Sequence, residues 1–172
     1  MRIIAGSRKG ARIFAPKGTD TRPTADRVRE AAFNLLGPDA AEDATVLDLF
    51  AGSGAMGLEA LSRGAAKADF VEFRPSSLHA LRANVVKIRM RDRSRVFKRD
   101  AVQFAAALEA DAYDIAFVDP PYESRQLDLV LESWKASGFA RVLVAEHART
   151  HKLPRGTSQR VFEDTAITIY RR

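Results

Sequence analysis

One stretch narrows the possible folds more than any other. Thr45-Val46-Leu47-Asp48-Leu49-Phe50 is an apolar run of strand character, and it passes directly into Ala51-Gly52-Ser53-Gly54-Ala55-Met56-Gly57. Gly52, Gly54 and Gly57 fall in the G-x-G-x-x-G spacing, and Glu72 ends the next apolar run 20 positions after Gly52. A strand that enters such a turn and opens a helix begins a βα unit. Its bare backbone can approach a ligand closely, and an acid at the end of the following strand can hydrogen-bond ribose hydroxyls.

The remaining chain continues the alternation. Strands are expected at Thr45–Phe50, Ala68–Val71, Arg95–Lys98, Tyr113–Val118 and Arg141–Ala145. Between and after them, helices are expected at Gly57–Arg63, Ser76–Arg89, Ala101–Glu109 and Leu127–Ser137. Gln159–Phe162 and Ala166–Tyr170 read as a closing antiparallel hairpin. Strands alternating with helices imply an α/β, Rossmann-like, doubly wound and mainly parallel sheet, with ligands at the carboxyl ends of its strands. Ahead of this body, Ile3–Ala5 and Ala11–Phe14 flank a Gly/Ser/Arg/Lys tip and predict a small β-hairpin. Thr24 and Asp26 are placed to cap a helix that runs to about Leu36 and stops at Gly37-Pro38. The organisation expected is a single domain over 1–172, with residues 1–22 as an N-terminal hairpin or arm, of which residues 1–16 contribute little core.

Composition removes several function classes. The 172 residues contain no cysteine, and His79, His147 and His151 are widely scattered, so no metal site is expected. No apolar run reaches the roughly 18 residues of a membrane span, and Met1–Gly6 shows no signal-peptide core, so a cytoplasmic protein is expected, and separately a monomer. The net charge of +6 is concentrated. Residues 1–29 hold eight basic side chains (Arg2, Arg8, Lys9, Arg12, Lys17, Arg22, Arg27, Arg29) against Asp20 and Asp26, while bases and acids balance over the rest. A basic arm of that kind is the footprint of a polyanion such as RNA. Lys87, Arg89, Arg91, Arg93 and Arg95 form a second basic run.

The acids at the strand ends decide which ligand the glycine turn suits. Asp48 lies just before the turn, where it would repel a pyrophosphate and complement the ammonium and sulfonium of S-adenosylmethionine. Asp100, followed by Ala101, ends the third strand, where a carboxylate can accept from an adenine amino group or simply cap a helix. After the apolar run Ile115–Val118 comes Asp119-Pro120-Pro121-Tyr122. Two prolines fix φ and remove two backbone donors, so carbonyls of the turn can face a ligand as acceptors. An exocyclic base amine is a poor nucleophile because its lone pair is delocalised. The Asp119 carboxylate and Pro120 carbonyl can accept its two N–H bonds and turn the lone pair outward, and Tyr122 can stack on a base flipped out of its helix. The amine proton becomes acidic only after methyl transfer, so positioning is the larger contribution expected of Asp119.

Taken together, Thr21–Glu30, Asp48–Gly64 and Asp119–Tyr122 resemble the RsmD family of 16S ribosomal RNA guanine-N2 methyltransferases. The resemblance covers nearly the whole chain and implies a seven-stranded class I S-adenosylmethionine-dependent fold with an antiparallel C-terminal hairpin. It implies that Asp48, Phe50, Gly52, Gly54, Glu72, Asp100, Ala101 and Asp119 surround the cofactor, and that Asp119, Pro120 and Tyr122 form the catalytic group. Arg22, Thr24 and Arg27 would lie over the pocket. With the arm residues Arg2, Arg8, Lys9 and Arg12, and with Tyr122, they would contact RNA. The implied substrate is 16S ribosomal RNA in the small subunit or in an assembly intermediate. Two places depart from the family pattern: Phe73-Arg74-Pro75 after Glu72, and Glu163-Asp164-Thr165 near the C-terminus. The Asp-Pro-Pro-Tyr tetrapeptide also occurs in DNA adenine and cytosine amino-methyltransferases, which makes DNA the second substrate class to weigh. A nicotinamide-dependent oxidoreductase or a non-catalytic RNA-binding protein is the alternative of a different kind.

Overall fold

The computed structural model describes residues 1–16, 23–122 and 124–172, with backbone alone at 23–25. Helix α1 spans Pro23–Leu36, followed by β1 (Thr45–Leu49), α2 (Ala55–Ser62), β2 (Lys67–Val71), α3 (Pro75–Lys87) and β3 (Ser94–Phe97). Next come α4 (Ala101–Ala106), β4 (Tyr113–Val118), α5 (Gln126–Ser137), β5 (Ala140–Ala148), β6 (Ser158–Val161) and β7 (Thr165–Arg171). The strands form one seven-stranded sheet in the order β3-β2-β1-β4-β5-β7-β6. β1 to β5 are parallel, and β7 runs antiparallel to both β5 and β6.

Apolar residues fill both faces, which is why the central strands read as continuous hydrophobic runs. On one face Val28, Phe33, Leu58, Leu61 and Leu81 from α1, α2 and α3 pack on Phe70, Phe117 and Ile167. On the other, Ala105, Leu127, Leu131 and Trp134 from α4 and α5 pack on Leu47, Val71, Val118 and Leu143.

Several boundaries move from their expected places. α1 begins at Pro23, not behind a Thr24 or Asp26 cap; proline suits the first helical position, whose N–H would be unpaired anyway. β1 stops at Leu49 because Phe50 takes a left-handed φ of 60°. α4 is shorter than expected, closing at Ala106. β5 is longer, running to Ala148, because β7 pairs along it from Val142↔Arg171 to Ala148↔Thr165.

The N-terminal arm brings the largest correction, in its packing and not its pairing. Its two apolar stretches do pair as a short antiparallel hairpin: the Ile3 N–H donates to the Ala11 carbonyl at 2.9 Å and the Ile13 N–H to the Met1 carbonyl at 3.1 Å, on either side of the Arg2↔Arg12 bridge, with a 3-10 turn at Gly6–Arg8. The arm is not, however, peripheral to the core. Ile3 and Ile13 are buried, and the fully buried Glu59 carboxylate on α2 accepts the Ile4 and Ala5 N–H groups at 2.8 and 3.0 Å. The same carboxylate meets Arg63 at 2.8 Å and Arg29 at 3.5 Å, and Arg29 also donates to the Arg2 carbonyl. Gly6 backs onto α2 so closely that a Cβ would lie 1.8 Å from the Ser62 carbonyl oxygen. The second basic run is partly structural as well: Arg93 donates to the Ala65 carbonyl, and Arg95 makes a two-pronged pair with Asp69.

Candidate active site

In this strand order β1 and β4 are neighbours whose onward connections leave in opposite directions, which opens a crevice at their carboxyl ends. The glycine turn forms one wall. Gly52 and Gly54 both have positive φ, 57° and 81°. Gly54 and Gly57 are glycine for packing, since a Cβ would come within 2.4 Å of Leu81 and of Phe70 respectively. At Gly52 a Cβ would meet nothing nearer than the Phe50 carbonyl at 3.9 Å, so its bare peptide faces open space. Phe50, a non-glycine in left-handed backbone just ahead of the turn, is held in a conformation that costs on the order of 1–3 kcal/mol.

Two acids shape this wall. Asp48 is buried and its Oδ2 accepts the Gly57 N–H at 2.9 Å. Burial, helped by the neighbouring Glu72 charge and opposed by the Gly57 bond, pushes its pKa up to about 7. Glu72 Oε2 accepts the Gly52 N–H at 3.0 Å, and Oε1 accepts the N–H groups of Phe73 and Arg74 at 2.9 and 2.8 Å. Burial works against the Glu72 charge, but these bonds and the Arg74 guanidinium outweigh it and hold its pKa below the ordinary value. Arg74 thus does more than depart from the family pattern: it keeps Glu72 ionised. Asp100, expected on the cofactor, caps α4, with Oδ1 accepting the Gln103 N–H at 2.8 Å, and Ala101 is buried at the start of that helix.

The opposite wall is built by β4 and β5. Asp119 follows β4 and Glu146 follows the paired position Val118↔Ala145, so the two acids stand side by side on adjacent parallel strands. Asp119 reaches solvent at the surface of the crevice, yet desolvation by the surrounding protein, then the Glu146 and Asp48 charges, raise its pKa well above the usual carboxylate range. The Pro121 carbonyl is taken up by Ser124, from N–H at 3.2 Å and Oγ at 2.7 Å. Among the described residues the Pro120 carbonyl has no such partner. Tyr122 is 41% exposed, and its hydroxyl donates to Glu146 Oε1 at 3.2 Å and contacts Thr165 Oγ1.

Glu146 had no place in the sequence reading. The signal was there: like Glu72, Asp100 and Asp119, it is an acid at the end of a parallel strand. Of the expected RNA contacts, Arg2, Lys9 and Arg27 line one open groove of about 530 Å³, together with Asp26 and Glu30. Arg12 is exposed beside them, across the bridge from Arg2. Arg8 is partly diverted, its Nε donating to the Ile88 carbonyl at 2.9 Å. Arg22 lies outside the described residues, as does the Thr24 side chain. No group of three or more His, Asp or Glu able to hold a metal occurs among the described residues.

The sheet order, the open glycine turn and the acid-lined rim define a class I, S-adenosylmethionine-dependent methyltransferase. Comparison with known proteins narrows this. A family model described as conserved hypothetical protein 95 matches residues 1–165, and the chain belongs to that family, the RsmD family. It is 35% identical to the putative rRNA methyltransferase YlbH of Bacillus subtilis over 186 aligned positions, covering 100% of this chain and 99% of that one. It is 39% identical to ribosomal RNA small subunit methyltransferase D of Escherichia coli K12, covering 81% of this chain and 69% of the relative. The solved structure of the putative methyltransferase yhhF from Escherichia coli superposes with a TM-score of 0.86 at 34% identity, covering 100% of this chain and 97% of that one.

Proposed function

We propose that this protein methylates the exocyclic N2 amino group of a guanine in 16S ribosomal RNA, acting on the small subunit or an assembly intermediate. The observation that carries the reading is the pair of acceptors left open beside Tyr122: the Asp119 carboxylate and the Pro120 carbonyl. Two acceptors on one wall match the two N–H bonds of an exocyclic amine. Accepting both draws the nitrogen toward pyramidal geometry and frees its lone pair.

The wall formed by Asp48, Gly52 and Glu72 fits the cofactor. Ribose hydroxyls would reach ionised Glu72 by replacing its long contacts with the Arg74 side chain at 3.3 and 3.4 Å, the Gly52 peptide is uncovered, and Asp48 offers negative charge for a cation. S-adenosylmethionine supplies an electrophilic methyl carbon on a sulfonium when bound. Asp119 then holds the amine, and once the new N–C bond is made it is the nearest acceptor for the amine's proton. Tyr122 offers its ring face to the flipped base. Arg2, Lys9, Arg12 and Arg27 would hold RNA phosphates. We also place the protein in the cytoplasm as a monomer; among the described residues no helix is long and apolar enough to cross a membrane.

The test uses labelled S-adenosylmethionine with three substrates at one salt concentration: partly assembled small subunits, protein-free 16S RNA, and a short hairpin carrying the target. Digestion to nucleosides should yield N2-methylguanosine, with kcat/KM highest on the particle, because preorganisation spares the cost of ordering a floppy loop. N6-methyladenosine as the product, or transfer to DNA alone, would overturn the reading.

A further inference from the structure

We propose that Glu146 is the residue that selects guanine, by accepting the N1–H of the target base. The inference rests on the guanine-N2 reading above and goes beyond it, because the Asp-Pro-Pro-Tyr turn accounts only for the amine. An exocyclic amine flanked by a ring nitrogen is common to guanine and adenine. What differs is the ring nitrogen: guanine N1 carries a hydrogen and donates, whereas adenine N1 carries a lone pair and accepts.

Glu146 stands where that difference can be read. The parallel pairing of β4 with β5 sets it one strand over from Asp119, level with the acceptor that faces the amine. Its Oε1 is held by the Tyr122 hydroxyl at 3.2 Å, so the ring proposed to stack on the base also orients the carboxylate. Thr165 at the start of β7 contacts the same hydroxyl and locks the pair against the far strand. Among the described residues Oε2 has no hydrogen-bond partner. The wall therefore presents three acceptors in sequence, Pro120 carbonyl, Asp119 and Glu146 Oε2, to the three N–H hydrogens of a guanine N1–N2 edge. An adenine edge would set its N1 lone pair against Oε2. Burial raises the pKa of Glu146, while the Tyr122 bond and the Arg29 charge favour its ionised form.

The decisive experiment separates donor from acceptor at N1. Once nucleoside mapping has located the methylated guanine, small subunits are reconstituted from RNA carrying either guanine or 2-aminopurine there. 2-Aminopurine keeps the N2 amine but has a lone pair at N1. The native enzyme should prefer guanine by about 10- to 100-fold in kcat/KM, the worth of a hydrogen bond to a charged group. Glu146→Gln, whose amide both donates and accepts, should lose activity on guanine and narrow that preference at least tenfold, with cofactor affinity unchanged. The missing O6 of 2-aminopurine affects both enzymes alike and cancels in this ratio. Should Glu146→Gln fail to fold, Glu146→Ser gives the same readout, since its hydroxyl also donates and accepts. Glu146→Asp, which remains acceptor-only, should keep the preference at a reduced rate. A native enzyme that uses both bases equally, or a Glu146→Gln variant that loses activity on both in proportion, overturns the assignment. Absence of any N2-methylguanosine with native enzyme would instead overturn the function reading itself.

Discussion

The two walls of the crevice are built on opposite principles. On the β1–β2 side the polar groups already have partners. Glu72 is satisfied by Gly52, Phe73 and Arg74, while Asp48 commits Oδ2 alone, to Gly57. On the β4–β5 side they do not: among the described residues Asp119, the Pro120 carbonyl and Glu146 Oε2 lack hydrogen-bond partners, and burial raises the pKa of both acids. Buried polar groups normally find partners in the protein or in ordered water, whereas Asp119 stands open at the crevice surface. A wall that satisfies itself is a preformed cradle, while a wall of unmet acceptors is finished only by the ligand that brings the donors. The difference is the reason we propose the cofactor on the first wall and the reacting amine on the second.

Substitutions can break that division. Asp119→Ala should reduce kcat by about 10³-fold, the scale of removing a preorganised charge-positioning group. Cofactor affinity, measured by calorimetry, should stay within a few-fold, and a matching collapse of cofactor binding would erase the distinction between the walls. Glu72→Ala should do the reverse. Losing hydrogen bonds to a charged group weakens cofactor binding by about 1.5–3 kcal/mol, or roughly 10- to 150-fold, with kcat at saturating cofactor little changed. Unaltered cofactor affinity would show that Glu72 serves only the Gly52 and Arg74 backbone.

The arm sharpens the same contrast, because its backbone and Arg8 are tied down while its other cations are not. Among the described residues Arg2, Lys9 and Arg12 make no ion pair. The Glu59 network that anchors the arm is buried, and breaking such a network costs about 3–5 kcal/mol. Deleting residues 1–16 should therefore lower Tm sharply, so the arm's role in RNA binding is better probed by substitution. Neutralising Arg2, Lys9 and Arg12 together should leave Tm and cofactor binding intact. It should weaken RNA binding roughly 30-fold at 0.15 M salt and flatten the log–log salt slope by about 2, as expected for three phosphate contacts. An unchanged slope would remove the arm from the RNA interface.

The smallest effect is on pH dependence. Asp48 titrates near 7 in the folded protein against an ordinary 3.8. The folded state thus holds this proton more tightly, and stability contributed below pH 4 is lost as pH rises toward 7. A cationic cofactor favours ionised Asp48 and should expel the proton. At pH 6 binding should release close to one proton, detected by calorimetry in buffers of different ionisation enthalpy, and at pH 8.5 almost none. Affinity should fall about tenfold or less between pH 8 and pH 6. Proton uptake on binding would place Asp48 away from the positive charge.

Much of this site was legible because its signals are local. The glycine spacing, the acids ending β2, β3 and β4, and the paired prolines are contiguous strings whose consequences stay where they are written. Glu146 was not legible, because its meaning depends on which strand lies beside β4. Asp100 shows the converse limit. Its position allowed a cofactor contact or a helix cap, and only the folded chain shows that Oδ1 is taken by the Gln103 N–H.

The sequence by itself determined the class of fold, the glycine turn and the Asp-Pro-Pro-Tyr turn, since hydrophobic period, glycine and proline act within a few residues of chain. Only the tertiary structure decided how distant polar groups divide their hydrogen bonds. Glu59 is divided between the arm backbone, Arg63 and Arg29, Arg29 is buried, and Tyr122 is joined to Glu146 and Thr165 across three strands. The physical reason is that a buried charge must find its partner wherever packing places one, and packing is a property of the assembled sheet.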